Sequence, residues 1–157
     1  MRHGLKTILA NRAGWSVCAE ACSGLEAITF AEQFRPDIAV IDLNMPGVGG
    51  LEAIRRIKKK FPEMGIVVLT LHYSRQLLRD LEEAGARGYV MKSDADRDLV
   101  AAVEAVAKGK SYLTPHVSEG DSAGGLPASG SAGTRNRLDN REREAVRSIA
   151  QTMKKLL

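Results

Sequence analysis

Aromatic side chains and long apolar runs are both scarce in this sequence. Phe, Trp and Tyr together make up 4% of the 157 residues, so a hydrophobic core has to be built from aliphatic side chains. No apolar run approaches the roughly 20 residues that a membrane-spanning helix needs, and residues 1–6 lack the apolar centre of a secretory signal. We therefore expect a cytoplasmic protein with no membrane-embedded part.

Cysteine is also rare, with only Cys18 and Cys22 present. In an extended strand, four residues span roughly 13 Å, which exceeds the roughly 7 Å between Cα atoms that a disulfide tolerates. No histidine lies near the two cysteines in the sequence, so they also make a poor zinc site. The sequence therefore predicts two buried free thiols.

The overall composition is that of a soluble globular protein, with 44% hydrophobic and 27% charged residues. The formal net charge is +4, which is a mild basic excess. This charge permits a nucleic-acid partner but does not identify one, because many soluble proteins carry as much.

Short apolar segments alternate with amphipathic ones along residues 1–116. The apolar segments predict strands at 16–21, 38–42, 66–70 and 87–91, and the intervening segments have the spacing of apolar residues that is typical of helices. Ser23 and Glu26 form a capping box that marks the start of one of these helices. Strands that alternate with helices predict a parallel sheet with helices on both faces.

The composition changes after residue 116. Residues 117–137 are dominated by Ser, Gly and Ala, which predicts a flexible linker. In residues 138–157, Asp139 and Glu142 form a second capping box, and a stripe of apolar residues follows it. This segment is predicted to begin a C-terminal helix.

Polar residues stand at the carboxyl ends of three predicted strands, namely Asp42, Thr70 and Lys92. In a parallel sheet these ends converge on one crevice, where open α/β sheets bind their ligands. A carboxylate can act as a nucleophile toward phosphorus, while an ammonium and a hydroxyl can bind phosphoryl oxygens. Each residue alone has an ordinary structural explanation, and their joint placement is what points to phosphoryl chemistry.

Three motifs carry a resemblance to a known family: VIDLNMPG at 40–47, VLTLH at 68–72 and AGARGYVMK at 84–92. Together they resemble the receiver domain of a two-component response regulator, of the NarL/FixJ group with a LuxR-type helix-turn-helix output. The resemblance covers about residues 1–115 and implies a flavodoxin-like α/β fold. It implies a transcriptional regulator rather than an enzyme.

The resemblance also implies roles for individual residues. Asp42 is expected to be phosphorylated by a sensor histidine kinase, and Thr70 and Lys92 to contact the phosphoryl group. The Asp42 carboxylate and the backbone carbonyl of Asn44 are expected to bind Mg²⁺. Tyr89 is the expected switch aromatic, which changes rotamer on activation. Intact family members bind DNA, and the resemblance allows a homodimer.

The sequence departs from the family at both ends. The family opens with a central strand that ends in an acidic pair, and residues 1–13 match the helix that follows it. We therefore expect a chain truncated at both ends, with its first central strand missing and Mg²⁺ binding weak or lost. The strands at 16–21 and 38–42 should then each lack a parallel neighbour, unless they pair directly or a second chain fills the gap.

Residues 138–157 resemble only the opening of a LuxR-type DNA-binding domain. They contain no recognition helix, so we expect DNA binding to be weak and without sequence preference. The predicted organisation is a receiver domain at 1–116, a linker at 117–137 and an incomplete helix-turn-helix domain at 138–157.

Two other functions are also considered for this sequence. A degenerate receiver without its acidic pair could act as a protein-interaction module. An aspartate-nucleophile phosphatase of the haloacid-dehalogenase type is disfavoured, because its second acid is expected at position 44, where this sequence has Asn.

Overall fold

The computed structural model describes residues 2–115 and 154–156 of the chain. The helices are α1 (Arg2–Ala10), α2 (Gly24–Phe34), α3 (Gly50–Lys60), α4 (Arg75–Glu83) and α5 (Ala95–Ala107), with a short 3₁₀ turn at Lys92–Asp94. The strands are β1 (Ser16–Ala19), β2 (Ile38–Asp42), β3 (Gly65–Thr70), β4 (Gly88–Met91), β5 (Tyr112–Leu113) and β6 (Lys154–Leu156).

All six described strands form one parallel sheet, in the order β1-β6-β2-β3-β4-β5. The predicted parallel sheet with flanking helices is confirmed, and the four predicted strands lie where the sequence indicated, within two residues at each end. β5 and β6 are additional strands that the apolar pattern did not indicate, because they have only two and three residues.

The sheet separates two hydrophobic clusters, and alternate residues of each interior strand contribute to opposite faces, as expected for strand geometry. In β2, Ile38 and Val40 pack with α1 and α5, whereas Ala39 and Ile41 pack with α2, α3 and α4. β2 is therefore buried on both faces, as its continuous apolar sequence predicts.

The predicted capping box at the start of α2 is present. The Ser23 hydroxyl accepts a hydrogen bond from the Glu26 amide at 3.2 Å, and the Glu26 carboxylate accepts one from the Cys22 amide at 2.7 Å. Ser74 caps α4 in the same way, accepting from the Leu77 amide at 3.1 Å. These bonds satisfy backbone donors that a helix leaves without partners in its first turn.

The expectation that β1 and β2 lack a neighbour on one side is wrong for part of each strand. β6 lies between them and is parallel to both, and it pairs with Ser16, Val17 and Ala19 of β1. On β2 it pairs with Ile38 and Ala39. Over these residues, the C-terminal segment of the same chain occupies the position between the two strands.

The C-terminal region was predicted as a linker followed by a helix. Its last described residues form the strand β6 and not the end of a helix. Residues 116–153, which include the predicted linker and most of the predicted helix, lie outside the described residues.

The two cysteines are free, as predicted, but they are not buried as predicted. Cys18 is half-buried because it belongs to β1, which forms one edge of the sheet. Cys22 is exposed because it lies after β1, in the loop that leads into α2. In the part of the chain that is described, no helix is both long and apolar enough to cross a membrane.

Candidate functional site

Asp42 is the last residue of β2, where the strand leaves the buried sheet. Its carboxylate makes two strong hydrogen bonds. The Asn44 amide donates to Oδ1 at 2.8 Å, and the Lys92 ammonium donates to Oδ2 at 2.6 Å. The Asp42 side chain is 36% exposed, so the carboxylate is fixed in position and still reachable from solvent.

Lys92 follows β4 directly, and its side chain is only 10% exposed. Thr114 holds this part of the backbone in place, since its hydroxyl accepts from the Met91 amide at 3.1 Å and its own amide donates to the Tyr89 carbonyl at 3.1 Å. Sequence reasoning missed Thr114. Thr114 is fully buried, but the sequence offered little indication of this, because a single Thr after a two-residue strand forms no recognisable pattern.

A glycine allows α3 to begin against the backbone of Asp42. A Cβ atom on Gly50 would lie 2.6 Å from the Asp42 carbonyl oxygen and 2.7 Å from the Leu43 Cα, which is closer than real Cβ atoms approach. The Gly50 amide also lies 3.4 Å from the Leu43 carbonyl oxygen, to which it donates a hydrogen bond. The close approach of α3 therefore depends on the absence of a side chain at position 50.

The Asp42 carboxylate lines a cleft of about 170 Å³ at the end of the sheet. Most of its lining is apolar, and Asp42 and Lys92 are its two charged residues. The residues around it are Leu5, Ala21, Cys22, Val40, Asp42, Asn44, Met45, Pro46, Leu69 and Lys92. Three of the predicted site residues, Asp42, Asn44 and Lys92, thus meet at one cleft.

Thr70 lies at the end of β3, next to Asp42 in the sheet but outside the lining of the cleft. Its hydroxyl donates to the His72 carbonyl at 2.8 Å and accepts from the His72 amide at 3.2 Å. The hydroxyl is therefore bonded to its own loop, and it would have to exchange these bonds to contact a group bound at Asp42.

Tyr89 lies in β4 and is 7% exposed, packed in the same cluster as Ile41 and Val68. Its hydroxyl donates to the Ala86 carbonyl at 2.7 Å. Burial raises the pKa of the phenol, and the negative charge of Glu82 raises it further. The ring is thus held inside the protein, away from the cleft that contains Asp42.

The described residues do not fit Mg²⁺ on their own. Mg²⁺ requires near-octahedral oxygen ligands, usually including one or two carboxylates. The cleft has a single carboxylate, and Lys92 and the Asn44 amide already bond to its two oxygens. Within residues 2–115 and 154–156, no three His, Cys, Asp or Glu side chains lie close enough together to hold a metal ion.

Comparison with known protein families matches residues 1–104 to the response regulator receiver domain. The chain belongs to this family. Similar curated proteins include the transcriptional regulatory protein DegU of Brevibacillus brevis, which is 37% identical over 117 residues, or 74% of this chain and 49% of DegU. The response regulator UvrY of Escherichia coli is 33% identical over 119 residues, or 76% of this chain and 55% of UvrY. The chain thus spans about half the length of these relatives.

Solved structures of receiver domains have the same fold. A two-component response regulator of the LuxR family from an Aurantimonas species matches with a TM-score of 0.71 and 36% identity, covering 75% of this chain and 84% of that one. The isolated receiver domain of RcsB from Salmonella enterica serovar Typhimurium, with the phosphomimetic BeF₃⁻, matches with a TM-score of 0.68 and 28% identity, covering 74% and 87%. The expected flavodoxin-like fold and the resemblance to the LuxR-type group are confirmed.

Proposed function

We propose that this receiver domain belongs to a two-component phosphorelay and that Asp42 accepts a phosphoryl group from a sensor histidine kinase. The observation that carries the proposal is the position of the Asp42 carboxylate, at the open end of the sheet between the Lys92 ammonium and the Asn44 amide. A nucleophile held in this way needs little reorganisation before it reacts.

In the proposed reaction, a carboxylate oxygen of Asp42 attacks the phosphorus atom of the donor. The new P–O bond makes an acyl phosphate, and the bond from phosphorus to the donor's histidine nitrogen breaks, leaving its electron pair on nitrogen. The product has more negative charge than the carboxylate did. Lys92 is close enough to offset part of that charge through a charge-assisted hydrogen bond.

We propose that Thr70 and Tyr89 act after this step. Thr70 would exchange its bonds to His72 for a bond to the phosphoryl group. Tyr89 would be the switch aromatic, which changes rotamer on activation and would then exchange its bond to the Ala86 carbonyl. The support for both roles is positional: Thr70 ends β3, which pairs with β2, and Tyr89 lies in β4, which pairs with β3.

Mg²⁺ binding is proposed to be weak in this chain, with the Asp42 carboxylate and the Asn44 backbone carbonyl as the ligands that it supplies. One carboxylate is a small contribution for a cation that needs about six oxygens. We therefore expect Asp42 to be modified slowly.

We propose that the output of the intact protein is transcriptional control, as the name of the transcriptional regulatory protein DegU suggests. The proposed location is the cytoplasm. Residues 138–157 would contribute only the start of a DNA-binding domain, so binding of this chain to DNA should be weak, independent of sequence and reduced by salt. A homodimer is compatible with this proposal.

A second candidate is a degenerate receiver that binds partners without being phosphorylated. The observation that favours it is the lack of a second carboxylate among the residues that line the cleft. The phosphatase alternative is less well supported, because Asn44 supplies its backbone amide to Asp42 and has no acidic side chain.

The test is incubation with acetyl phosphate, with and without Mg²⁺, followed by mass spectrometry. We expect slow modification at Asp42 that is absent in Asp42→Asn. We expect Lys92→Gln to lower the rate by about tenfold or more, because removal of a charge-stabilising donor from a reaction site typically costs at least that much. Lys110→Gln is the matched control, since Lys110 is exposed and outside the cleft.

Each result separates the candidates. Modification at another residue would overturn the role of Asp42, and a complete absence of modification would favour the interaction module. Release of many phosphates per molecule would indicate a phosphatase. Rapid and stoichiometric modification that requires Mg²⁺ would show that the single carboxylate is sufficient for the metal.

A further inference from the structure

A fully buried threonine connects β4 to the end of β5 beside the candidate site. The Thr114 hydroxyl accepts a hydrogen bond from the Met91 amide at 3.1 Å and donates one to the Tyr89 carbonyl at 3.3 Å. The Thr114 amide donates to the same carbonyl at 3.1 Å. Thr114 is thus bonded to both ends of the last three residues of β4, and its hydroxyl takes part in two of the three hydrogen bonds.

The Thr114 hydroxyl serves as an acceptor at a point where the backbone pairing of β5 has ended. β5 pairs with β4 through two residues only, and the last pair is Leu113 with Tyr89. Met91 lies two residues beyond that pair, and its amide points toward Thr114, whose hydroxyl accepts from it. A backbone amide left without an acceptor away from water is costly, so this hydroxyl helps to determine the position of Met91.

Met91 is the residue at which the chain leaves the sheet next to Asp42. It pairs with Thr70 of β3 on one side, and Lys92 follows it directly as the first residue of the 3₁₀ turn. The Lys92 ammonium lies 2.6 Å from the Asp42 carboxylate. Met91 is therefore held from two sides, by β3 and by Thr114, immediately before the residue that reaches Asp42.

We propose that Thr114 is a positioning residue, which sets the placement of the Lys92 ammonium at Asp42 and thereby supports the phosphoryl transfer. The inference rests on the proposed function and adds to it a residue outside the cleft. Lys92 has a long side chain, so a small displacement of its backbone moves the ammonium away from the carboxylate. A misplacement of about 1 Å in a reaction site can lower the rate by about 100-fold.

The same contacts imply coupling in the opposite direction. The coupling free energy between two sites is reciprocal, so a change at the Lys92 ammonium should alter how firmly Met91 and Thr114 are joined. β5 has only two residues, and the bonds of Thr114 add to its attachment to β4. The state of Asp42 therefore affects β5, although no residue of β5 lines the cleft.

The first test compares variants of Thr114 in the modification of Asp42 by acetyl phosphate, measured by mass spectrometry on the 157-residue protein. Thr114→Val removes the acceptor of the Met91 amide with little change in shape and should lower the rate by about tenfold. Thr114→Ser retains the hydroxyl and should restore most of the rate. Val106→Ala is the control for lost stability and should leave the rate unchanged, because Val106 is buried next to Gly65, at the opposite end of the sheet. A rate for Thr114→Val equal to that of the unaltered protein or of Thr114→Ser would overturn the proposal.

A double-mutant cycle with Lys92→Gln tests whether Thr114 acts through Lys92. If it does, Thr114→Val should lower the rate about tenfold in the unaltered protein and less than about twofold when Lys92 is already replaced. If Thr114 only supports the fold, the valine should lower the rate by the same factor in both backgrounds. That second result would overturn the proposal.

Native-state amide hydrogen exchange tests the link between Lys92 and Thr114 without any phosphoryl group. Lys92→Gln removes the ammonium from Asp42 and should speed exchange at the Met91 and Thr114 amides by about threefold or more, through local opening. Unchanged exchange at these two amides would overturn the proposal. If Asp42 is not modified in the unaltered protein, the proposed function fails, and this measurement alone decides whether Thr114 positions Lys92.

The exchange measurement has two controls. Lys110→Gln removes an ammonium that is exposed and outside the cleft, and it should leave exchange at Met91 unchanged. The Val68 amide, in the buried middle of β3, reports global unfolding and should respond less than the Met91 amide does. An equal response at Val68 and Met91 would show that Lys92→Gln acts on the whole fold, and it would overturn the proposal.

Discussion

On one side of β2, each residue from Ile38 to Asp42 pairs with a residue of β3, whereas on the other side only Ile38 and Ala39 pair with β6. The β3 side continues to β4 through four more paired residues, and β4 carries Lys92 at its end. The β6 side depends on a segment of three residues from the far end of the chain.

This difference explains where the candidate site can be rigid and where it can change. The Asp42–Lys92 pair is built on β2, β3 and β4, which are adjacent in the sheet and fully buried in their middle parts. The cleft extends from this pair across the end of β2 to Ala21 and Cys22, on the side where β2 pairs with β6 only as far as Ala39. The same strand thus provides a fixed carboxylate and an open space next to it.

The largest expected effect comes from replacing valine by alanine in β3 and, for comparison, in β1. The same two methyl groups are removed in both variants. Val67 of β3 is fully buried, so Val67→Ala should lower the free energy of unfolding by about 2 kcal/mol or more, through lost burial and a residual cavity. Val17 of β1 is half-buried, and Val17→Ala should cost less than about 1 kcal/mol. Urea denaturation measures both, and equal losses would remove the distinction between the two sides.

A smaller effect is expected at the start of α3, where a glycine supports Asp42. Gly50→Ala places a Cβ within 2.6 Å of the Asp42 carbonyl oxygen, so the helix or the strand end has to move. We expect a loss of about 1–3 kcal/mol, together with slower modification of Asp42 by acetyl phosphate.

Gly49→Ala is the matched control, because a Cβ at that position has no atom within 4 Å. It should cost less, about 0.5–1 kcal/mol, because alanine is a poorer N-cap residue than glycine, and it should leave the modification of Asp42 unchanged. If the two alanine variants behaved alike, the close contact at Gly50 would not be what positions Asp42.

The smallest effect concerns Tyr89 and alkaline pH. Burial raises the pKa of its phenol in the folded protein, so the folded state retains the proton after the unfolded chain begins to lose it, near pH 10. The stabilisation from Tyr89 is complete below that pH and is lost as the pH rises further. Tyr89→Phe should therefore cost about 1 kcal/mol at neutral pH and should reduce the decline in stability above pH 10.

Tyr112 is the comparison residue for that measurement. Its pKa is also raised, first by burial and then by the charge of Asp98, but the side chain is only half-buried. Tyr112→Phe should change the alkaline decline less than Tyr89→Phe does. The opposite order in denaturation measured between pH 9 and 11 would contradict the buried position assigned to Tyr89.

The part of the sheet formed by β2, β3 and β4 was predictable from the sequence, because the patterns that indicate these strands are local and repeated. Continuous apolar runs indicate buried strands, and Asp42, Thr70 and Lys92 follow those runs directly. The convergence of Asp42 and Lys92 then follows from parallel pairing. The hydrogen bond from the Thr70 hydroxyl to the His72 carbonyl could not be predicted, because a side-chain hydrogen bond inside a loop leaves no pattern in the sequence.

The β6 side was not predictable for a different reason. The segment KKL is short and charged, so it has no signature of a strand, and its partners lie more than 100 residues away in the chain. The prediction of buried cysteines failed for a related reason, since the burial of Cys18 depends on which strand forms the edge of the sheet.

Native-state amide hydrogen exchange across the sheet tests the contrast between the two sides of β2 most directly. We expect amides in β3 and β4 to exchange only through global unfolding, and amides in β1 and β6 to exchange about tenfold or more faster, through local opening that leaves β2 paired with β3. Protection of β1 and β6 equal to that of β3 would show that the two sides of β2 are equally supported and would contradict the contrast between them.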